Sequence, residues 1–392
     1  MSATVPVATY QHLTWTETML GMPIGPPTSH PVGPSGAARD VLEGTLRQSL
    51  QRDRQNYVLF SGGRDSSALL ALAVHVARRE GLPEPLPVIV RHPDSPESDE
   101  REWQDLVLDH LDVPDHVVIE MRGDQGLLAE VARGAIRRRG PMWPAAIQGH
   151  GAIYRHLEPG VIISGEGGDM VLTGHRPNIV RTMLSRPDRR TLRNGLKALR
   201  PASLTRRHAR EDIARGKMPS PGWLREPGRL AYAEALSALL ASPLRWDAAT
   251  RHAGLNRSVC LGMANFEAEV AAHGSVSVNP LADAAFVDTL ARDGGMLGWG
   301  DRTAIFRRLF GDLLPDEVLA RGTKAAFNST RWGEQERQFA HEWDGHGFDD
   351  DWIDAEALRS EWLSDRPHPI SSFLLQVAWA ISQGIPVTGD QP

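Results

Sequence analysis

The sequence contains almost no cysteine, the residue that forms disulfide bonds and many zinc sites. Cysteine occurs once, at Cys260, among 392 residues, which excludes an internal disulfide and any zinc site with several cysteines. No apolar run approaches the roughly 20 residues that a transmembrane helix needs. The first residues also lack the basic and apolar regions of a signal peptide. We therefore expect a cytoplasmic protein with no membrane partner.

Lysine is scarce. The 43 basic residues include only three lysines, Lys197, Lys217 and Lys324. A lysine carries a compact point charge that the planar guanidinium of arginine does not reproduce, so each remaining lysine is a candidate for a specific role. The net charge of −6 argues against a protein that coats nucleic acid. We therefore expect no nucleic-acid partner.

The first half of the chain alternates short apolar segments with longer amphipathic segments. The apolar segments predict strands at 57–60, 86–90, 117–119 and 161–163. The segments near and between them predict helices at 66–80, 98–111, 125–139 and 145–157. This alternation is typical of an α/β fold with a doubly wound parallel sheet. Ligands of such sheets bind at the carboxyl ends of the strands.

Composition divides the chain into three predicted parts. Residues 1–36 are rich in proline and glycine and predict an extended N-terminal arm or linker. Residues 37–175 predict the α/β domain. Residues 176–392 predict a mostly helical lobe, with a further strand signal only at 275–278.

Two segments of the predicted helical lobe carry opposite charge. Residues 181–217 hold ten arginines and two lysines against three acidic residues. Residues 334–365 hold eleven acidic residues against two arginines. Two interpretations remain open: two solvated surfaces, which could face each other, or a basic surface that docks a partner protein, a leader peptide or an acidic substrate segment.

A glycine-rich turn follows the first predicted strand. It reads Ser61-Gly62-Gly63-Arg64-Asp65-Ser66-Ser67. The two glycines let backbone N–H groups approach an anion, and the two serines lie at a helix N-terminus, which favours phosphate. A carboxylate beside a phosphate needs a cation between them, so Asp65 predicts Mg²⁺. No lysine lies in the turn, which excludes the phosphate loop of kinases and GTPases.

This turn resembles the pyrophosphate-binding loop of the adenine nucleotide α-hydrolase-like (PP-loop) ATP pyrophosphatases. The resemblance implies ATP as cofactor, cleavage between its α and β phosphates, and activation of a substrate as its adenylate. The turn alone leaves four enzyme classes open: NAD synthetases, argininosuccinate synthetases, tRNA-modifying thiolases and asparagine synthetases.

A second glycine-rich turn follows the strand predicted at 161–163. It reads Ser164-Gly165-Glu166-Gly167-Gly168-Asp169 and is similar to the Ser-Gly-Glu-Gly-Ala-Asp-Glu motif of the asparagine synthetase C-terminal domain. Two such turns can face one nucleotide, so we expect Asp65 and Asp169 to hold the Mg²⁺ of Mg²⁺–pyrophosphate. The expected ATP-binding residues are Ser61, Gly62, Gly63, Asp65, Ser66, Ser67, Val90, Gly165, Gly167 and Gly168.

The family resemblance spans roughly residues 40–385 and implies the catalytic residues. The late run Arg321-Gly-Thr-Lys324-Ala-Ala-Phe327 resembles the family's segment that folds back to the active site. By this resemblance Glu166 is the general base. Lys324, helped by Arg321, stabilises developing negative charge.

The sequence departs from the family pattern in several places. Glutamine-dependent members begin with a glutaminase domain, whereas Ser2 replaces the nucleophilic cysteine and residues 1–55 are too few for that domain. We therefore expect no glutaminase. The lysine expected about a dozen residues before Leu-Pro is Thr303, with Arg302 beside it. The Gly-Gly-Asp form of the second turn is closer to the lasso-peptide macrolactam synthetases, which use a peptide amine.

The prediction is an AMP-forming carbon–nitrogen ligase that uses ATP and Mg²⁺. It adenylates a carboxylate on a small molecule or peptide and transfers the acyl group to an amine or ammonia, in natural-product or peptide tailoring. Two alternatives remain: a free-standing, ammonia-dependent asparagine synthetase, and a non-catalytic nucleotide-binding scaffold. A tRNA-modifying enzyme is a weaker option because the chain has almost no cysteine for sulfur transfer.

Overall fold

Five parallel strands form the centre of the molecule. The computed structural model describes residues 10–25, 33–323, 325, 327 and 329–387. Its strands are β1 (Asn56–Leu59), β2 (Leu86–Arg91), β3 (Val117–Glu120), β4 (Val161–Ile163) and β5 (Val276–Val278). They pair in the order β3-β2-β1-β4-β5. This confirms the predicted parallel sheet, and each strand lies within one residue of its predicted bounds.

Helices account for most of the remaining described chain. They are α1 (Trp15–Leu20), α2 (Ala38–Leu50), α3 (Arg64–Glu80), α4 (Arg101–Leu111), α5 (Glu130–Arg139), α6 (Gly151–Tyr154), α7 (Gly168–Val171), α8 (His175–Ser185), α9 (Arg189–Ala198), α10 (Ala202–Ala214), α11 (Glu226–Leu240), α12 (Trp246–Gly254), α13 (Arg257–Ala272), α14 (Ala284–Gly294), α15 (Arg302–Phe310), α16 (Asp316–Leu319), α17 (Glu334–Glu342), α18 (Ala355–Trp362) and α19 (Ser371–Ser382). Among the described residues, none of these helices combines the length and the apolar character needed to cross a membrane.

Apolar side chains cover both faces of the sheet, as a doubly wound fold requires. Successive residues of a strand point to opposite faces. Tyr57 of β1 and its partner Ile162 of β4 pack into one hydrophobic cluster. The next pair, Val58 and Ile163, packs into another cluster together with α3. Burial on both faces explains why the central strands read as continuous apolar runs.

Several helix bounds differ from the sequence prediction. The helix expected at 98–111 begins at Arg101, after a 3₁₀ turn at Pro96–Ser98. The helix expected at 125–139 begins only at Glu130, because the preceding residues turn and bind elsewhere: the Leu127 N–H donates to the carbonyl of Arg331. The segment 145–157 is mainly a 3₁₀ helix followed by α6. Local hydrophobic patterning does not show these tertiary backbone contacts.

Within the predicted N-terminal arm, Trp15–Leu20 form the short helix α1. Thr14 and Glu17 form a capping box that starts α1, and this reciprocal capping stabilises a short helix. The Glu17 carboxylate also accepts a hydrogen bond from Arg257 of α13 at 2.6 Å. Proline and glycine therefore mark the end of a packed helix here. The segment 26–32 lies outside the described residues.

One hydrophobic core crosses the domain boundary predicted at residue 175. The cluster that packs on β1 and α3 also contains Trp246, Phe286 and Phe306 from the second half of the chain. A second cluster joins α1 to the C-terminal helices. The division into parts remains a prediction, and β5 belongs to the same sheet as β1.

The basic segment 181–217 forms part of α8 together with α9 and α10. Its ion pairs include Arg206 and Arg210 with Glu234, and Arg207 with Glu211. Within the described residues, no ion pair joins it to the acidic segment 334–365. Ion pairs among the described residues therefore do not join the two charged surfaces, and both interpretations remain predictions.

Candidate active site

The two glycine-rich turns lie side by side at the carboxyl edge of the sheet. In the order β3-β2-β1-β4-β5, the chain passes from β1 to β2 and β3 on one side of the sheet, and β4 and β5 extend the sheet on the other side of β1. The strand order therefore reverses between β1 and β4. A crevice forms at such a reversal, and ligands of open parallel sheets bind there. The turns touch: a Cβ at Gly165 would lie 3.1 Å from the backbone nitrogen of Ser66, and a Cβ at Gly168 would collide with the Asp65 carboxylate. Glycine is therefore required where the turns meet.

Hydrogen bonds within the first turn fix its backbone. Gly62 has φ of 82°, a conformation that favours glycine. The Ser66 hydroxyl donates to the carbonyl of Gly63 at 3.0 Å and accepts from the Ser61 N–H at 3.2 Å. Ser67 is fully buried at the start of α3. The serines thus shape the turn whether or not a phosphate is bound.

A cavity of about 520 Å³ opens between the turns. Most of the predicted ATP-binding residues line it: Ser61, Gly63, Asp65, Ser66, Val90, Gly165 and Gly167. The predicted general base Glu166 and the predicted metal ligand Asp169 also line it. Gly62, Ser67 and Gly168 belong to the same two turns but do not line this cavity. The structure therefore brings the predicted residues to one cavity, and their roles remain predictions.

Both predicted metal ligands bind the same arginine. The guanidinium of Arg302, on α15, contacts the two oxygens of Asp65 at 2.7 and 2.6 Å and one oxygen of Asp169 at 3.0 Å. The same group donates to the carbonyl of Gly168 at 3.1 Å. We call Asp65, Asp169 and Arg302 the Arg302 cluster. In the sequence Arg302 stands out only as the neighbour of Thr303, and no local motif predicts its contact with both carboxylates.

The Arg302 cluster fits a magnesium–nucleotide better than a metal held by protein alone. Two carboxylates converge on one cationic group, which is the charge arrangement that a shared Mg²⁺ needs. In the described part of the chain, no three His, Cys, Asp or Glu side chains form a metal-binding group. Mg²⁺ commonly takes one or two carboxylates and completes its shell with phosphate oxygens and water. Asp65 and Asp169 match that pattern.

Replacing Arg302 by alanine is expected to lower the free energy of unfolding by about 2 kcal/mol, because two neighbouring carboxylates lose a partly buried counter-ion. Millimolar Mg²⁺ should restore part of this loss without any nucleotide. Urea unfolding with and without Mg²⁺ measures both effects, with Arg302→Lys as the control that keeps the charge. If the free energy of unfolding of Arg302→Ala is the same with and without Mg²⁺, the prediction that these carboxylates bind a divalent cation is wrong.

Arg321 anchors its segment to the first turn. Its guanidinium donates to the Glu100 carboxylate at 2.8 Å and to the carbonyl of Gly62 at 2.9 Å, and it lies 4.5 Å from the Trp103 ring centroid. Both members of this ion pair are buried. Arg321 lines the cavity, yet these contacts occupy its guanidinium and favour an anchoring role. The predicted catalytic Lys324 lies outside the described residues.

A second cationic group on the cavity wall was not predicted. Arg331 is the last residue of a short 3₁₀ turn at Ser329–Arg331 and lines the cavity with Gln125, His92 and His150. We call these four residues the Arg331 cluster. Burial lowers the pKa of Arg331 to about 10, and the negative charge of Glu166 opposes that shift. Only folding brings these residues together, and no local motif contains them.

Both histidines of the Arg331 cluster are neutral at pH 7. Burial, reinforced by the positive charge of Arg331, lowers the pKa of His92 to about 4 and that of His150 to about 3. An unfolded histidine titrates near pH 6.5. The unfolded chain therefore binds more protons than the folded chain between pH 6.5 and these lowered values, and stability falls as the pH drops through this window.

As the pH falls from 6.5 to 5, we expect each histidine to lower the free energy of unfolding by up to about 1.4 kcal/mol per pH unit. Urea unfolding at pH 7, 6 and 5 measures it. His150→Gln removes one titrating group and should reduce the slope by up to that amount. Identical slopes in the variant and the parent would show that His150 does not stay neutral in the folded protein.

One family model matches the chain. The asparagine synthase model matches residues 37–379, so the chain belongs to the asparagine synthase family. A search of curated proteins gives no match. Membership confirms the resemblance seen in the two turns and the expected α/β fold. It also identifies the chain as an ATP-dependent synthetase of the amide-forming ligase class.

Proposed function

We propose that this synthetase is an AMP-forming carbon–nitrogen ligase that adenylates a carboxylate and transfers the acyl group to an amine. The observation that carries the proposal is the convergence of both glycine-rich turns on one cavity at the reversal of strand order. Asp65 and Asp169 meet on a single cation there, and Glu166 lines the same cavity. These are the charges that adenylation and aminolysis need.

The reaction would proceed in two steps. A carboxylate oxygen of the substrate attacks the α-phosphate of ATP, and pyrophosphate leaves. An amine then attacks the acyl carbon, AMP leaves with the bonding electrons, and Glu166 accepts the amine proton. The first turn supplies backbone N–H groups at the start of α3 to phosphate oxygens. Asp65 and Asp169 would hold Mg²⁺, which neutralises pyrophosphate when bound.

The same proposal includes a docking surface for an acidic substrate segment. Helix α9 buries Gly195 and Ala198 and leaves Leu192 and Leu196 exposed at 45 and 64 %, and Leu199, directly after the helix, is exposed at 48 %. The segment 181–217, which contains α9, carries ten arginines. Charge complementarity favours an acidic peptide that also carries apolar side chains, and it agrees with peptide tailoring.

ATP–pyrophosphate exchange tests the proposed function. The protein is assayed with Mg²⁺ and with aspartate, with acidic leucine-containing peptides, or with neither. Exchange with aspartate would identify an ammonia-dependent asparagine synthetase. Exchange with peptides alone would support peptide tailoring. A protein that binds ATP but catalyses no exchange under any of these conditions would refute ligase activity toward these carboxylates and favour the scaffold alternative.

A further inference from the structure

A second cavity, of about 470 Å³, lies between helices α5, α17 and α19. We call it the α5–α17 cavity. It shares no lining residue with the cavity between the two glycine-rich turns. Its charged lining residues are Arg133 and Arg137 of α5, Glu342 at the end of α17, and Asp344, which follows that helix by two residues. The proposed ATP chemistry uses none of these side chains.

The two arginines lie one helical turn apart, and both contact the ring of Trp379 on α19. Their guanidinium carbons are 5.8 and 5.4 Å from the ring centroid, close enough for a cation to be attracted to an aromatic face. Within the described chain, no carboxylate forms an ion pair with either arginine, whereas Arg139 on the same helix pairs with Glu269. The Nε atom of Arg133 is buried and has no hydrogen-bond partner among these residues. Trp379 therefore positions two cations whose N–H groups can bind an anionic ligand.

The two carboxylates of the α5–α17 cavity also lack a cationic partner from arginine or lysine. Glu342 accepts a hydrogen bond from the side-chain amide of Gln338 at 2.8 Å. Asp344 accepts one from the backbone N–H of His346 at 2.9 Å, and its carboxylate lies 3.9 Å from Nδ1 of that histidine. No arginine or lysine of the described ranges forms an ion pair with either carboxylate. Both carboxylates can therefore bind a cationic group of a ligand.

Charges of both signs thus line one cavity, and no ion pair between described residues crosses it. A ligand with an anion at one end and a cation at the other can contact both pairs of charges, whereas Glu342 and Asp344 would repel a ligand with several negative charges. The cavity also has the volume of a small-molecule site, which is commonly about 300–1,000 Å³.

From this arrangement we infer that the α5–α17 cavity binds a small zwitterion of the amino acid class. The carboxylate of the ligand contacts Arg133 and Arg137, whose guanidinium groups can each donate two hydrogen bonds to it. The ammonium group of the ligand contacts Glu342. This binding site is separate from the proposed ligase chemistry and does not depend on it.

The probe that tests the site is 6-aminohexanoate, whose two charges lie at opposite ends of a flexible chain. Calorimetric titration, without ATP and at constant ionic strength, compares the parent protein with Arg137→Gln and Glu342→Gln. Both residues are exposed, so we expect both variants to fold, and urea unfolding checks this. The matched controls are Arg138→Gln and Glu334→Gln, at exposed positions on the same two helices that do not line the cavity. Hexanoate, which has only the negative charge, is the second probe.

We expect each cavity variant to weaken the binding of 6-aminohexanoate by about tenfold and the two controls to leave it unchanged. Hexanoate should bind about tenfold more weakly than 6-aminohexanoate, and its affinity should fall in Arg137→Gln but not in Glu342→Gln. The affinity for ATP should be the same in the parent and in all the variants, because the two cavities share no lining residue.

Three results would overturn the inference: no binding of 6-aminohexanoate by the parent protein at tens of millimolar, equal binding by the parent and either cavity variant, or equal affinities for 6-aminohexanoate and hexanoate. The last result would show a site for an anion alone. Because the titration needs neither ATP nor turnover, it separates this inference from the proposed function. A protein that forms no AMP but binds 6-aminohexanoate through Arg137 and Glu342 would refute the ligase and support the zwitterion site.

Discussion

Asp65→Asn is expected to lower Mg²⁺-dependent ATP–pyrophosphate exchange by about 10²- to 10³-fold. The substitution keeps the size of the side chain and removes its charge. Asp65 lies where the two turns meet and shares the Arg302 guanidinium with Asp169. Without Asp65, one carboxylate remains for the cation that neutralises pyrophosphate, and losing one such preorganised electrostatic contact commonly costs 10²- to 10³-fold.

Asp354→Asn is the matched control for this experiment. Asp354 caps α18 in the helical lobe and accepts a hydrogen bond from the Ala357 N–H at 3.0 Å. Asparagine caps a helix as well as aspartate does, so exchange should not change. Urea unfolding of both variants confirms that each is folded. Exchange by Asp65→Asn within a few-fold of the parent rate would refute the metal role of Asp65.

The sequence predicted the sheet and the meeting of the two turns because both depend on local signals. Strand β4 is three apolar residues followed directly by its turn, and a parallel sheet brings the carboxyl ends of its strands to one edge. In the structure, Gly165 and Gly168 each lack a Cβ where the two turns touch. The two glycine-rich turns, the strands before them and their position at the carboxyl edge of the sheet could therefore be predicted together.

Arg302 and Arg331, two of the four arginines that line the cavity, could not be predicted in the same way. Arg302 is 237 residues from Asp65 along the chain, and Arg331 is 206 residues from Gln125. Arginine is also the commonest charged side chain here, so neither residue stands out in the sequence. Their partners become visible only when α15 and the segment before α17 pack against the crevice. Long-range packing thus determines the charge of the cavity, whereas local motifs determine its position.

Glu166→Gln is expected to separate the two half-reactions. Adenylation needs no base, so pyrophosphate exchange should stay within a few-fold of the parent rate. Aminolysis needs a neutral amine, and removing its base should slow amide formation by about 10²- to 10⁴-fold. Glu166 lines the cavity. Burial raises the pKa of Tyr154, and the negative charge of Glu166 raises it further. The same charge opposes the lowering of the Arg331 pKa by burial. The carboxylate of Glu166 therefore lies at the cavity in which we expect the reaction to occur.

Hydroxylamine distinguishes a base from a residue that only positions the substrate. It is already neutral at pH 7, so it can attack the adenylate without giving up a proton first. With the carboxylate that supports exchange, Glu166→Gln should form the hydroxamate at a rate near that of the parent, whereas amide formation from a protonated amine stays slow. Equal losses of exchange, amide formation and hydroxamate formation would assign Glu166 to substrate binding. Hydroxamate formation near the parent rate, together with slow amide formation, would show that Glu166 removes the amine proton and is not needed to position the substrate.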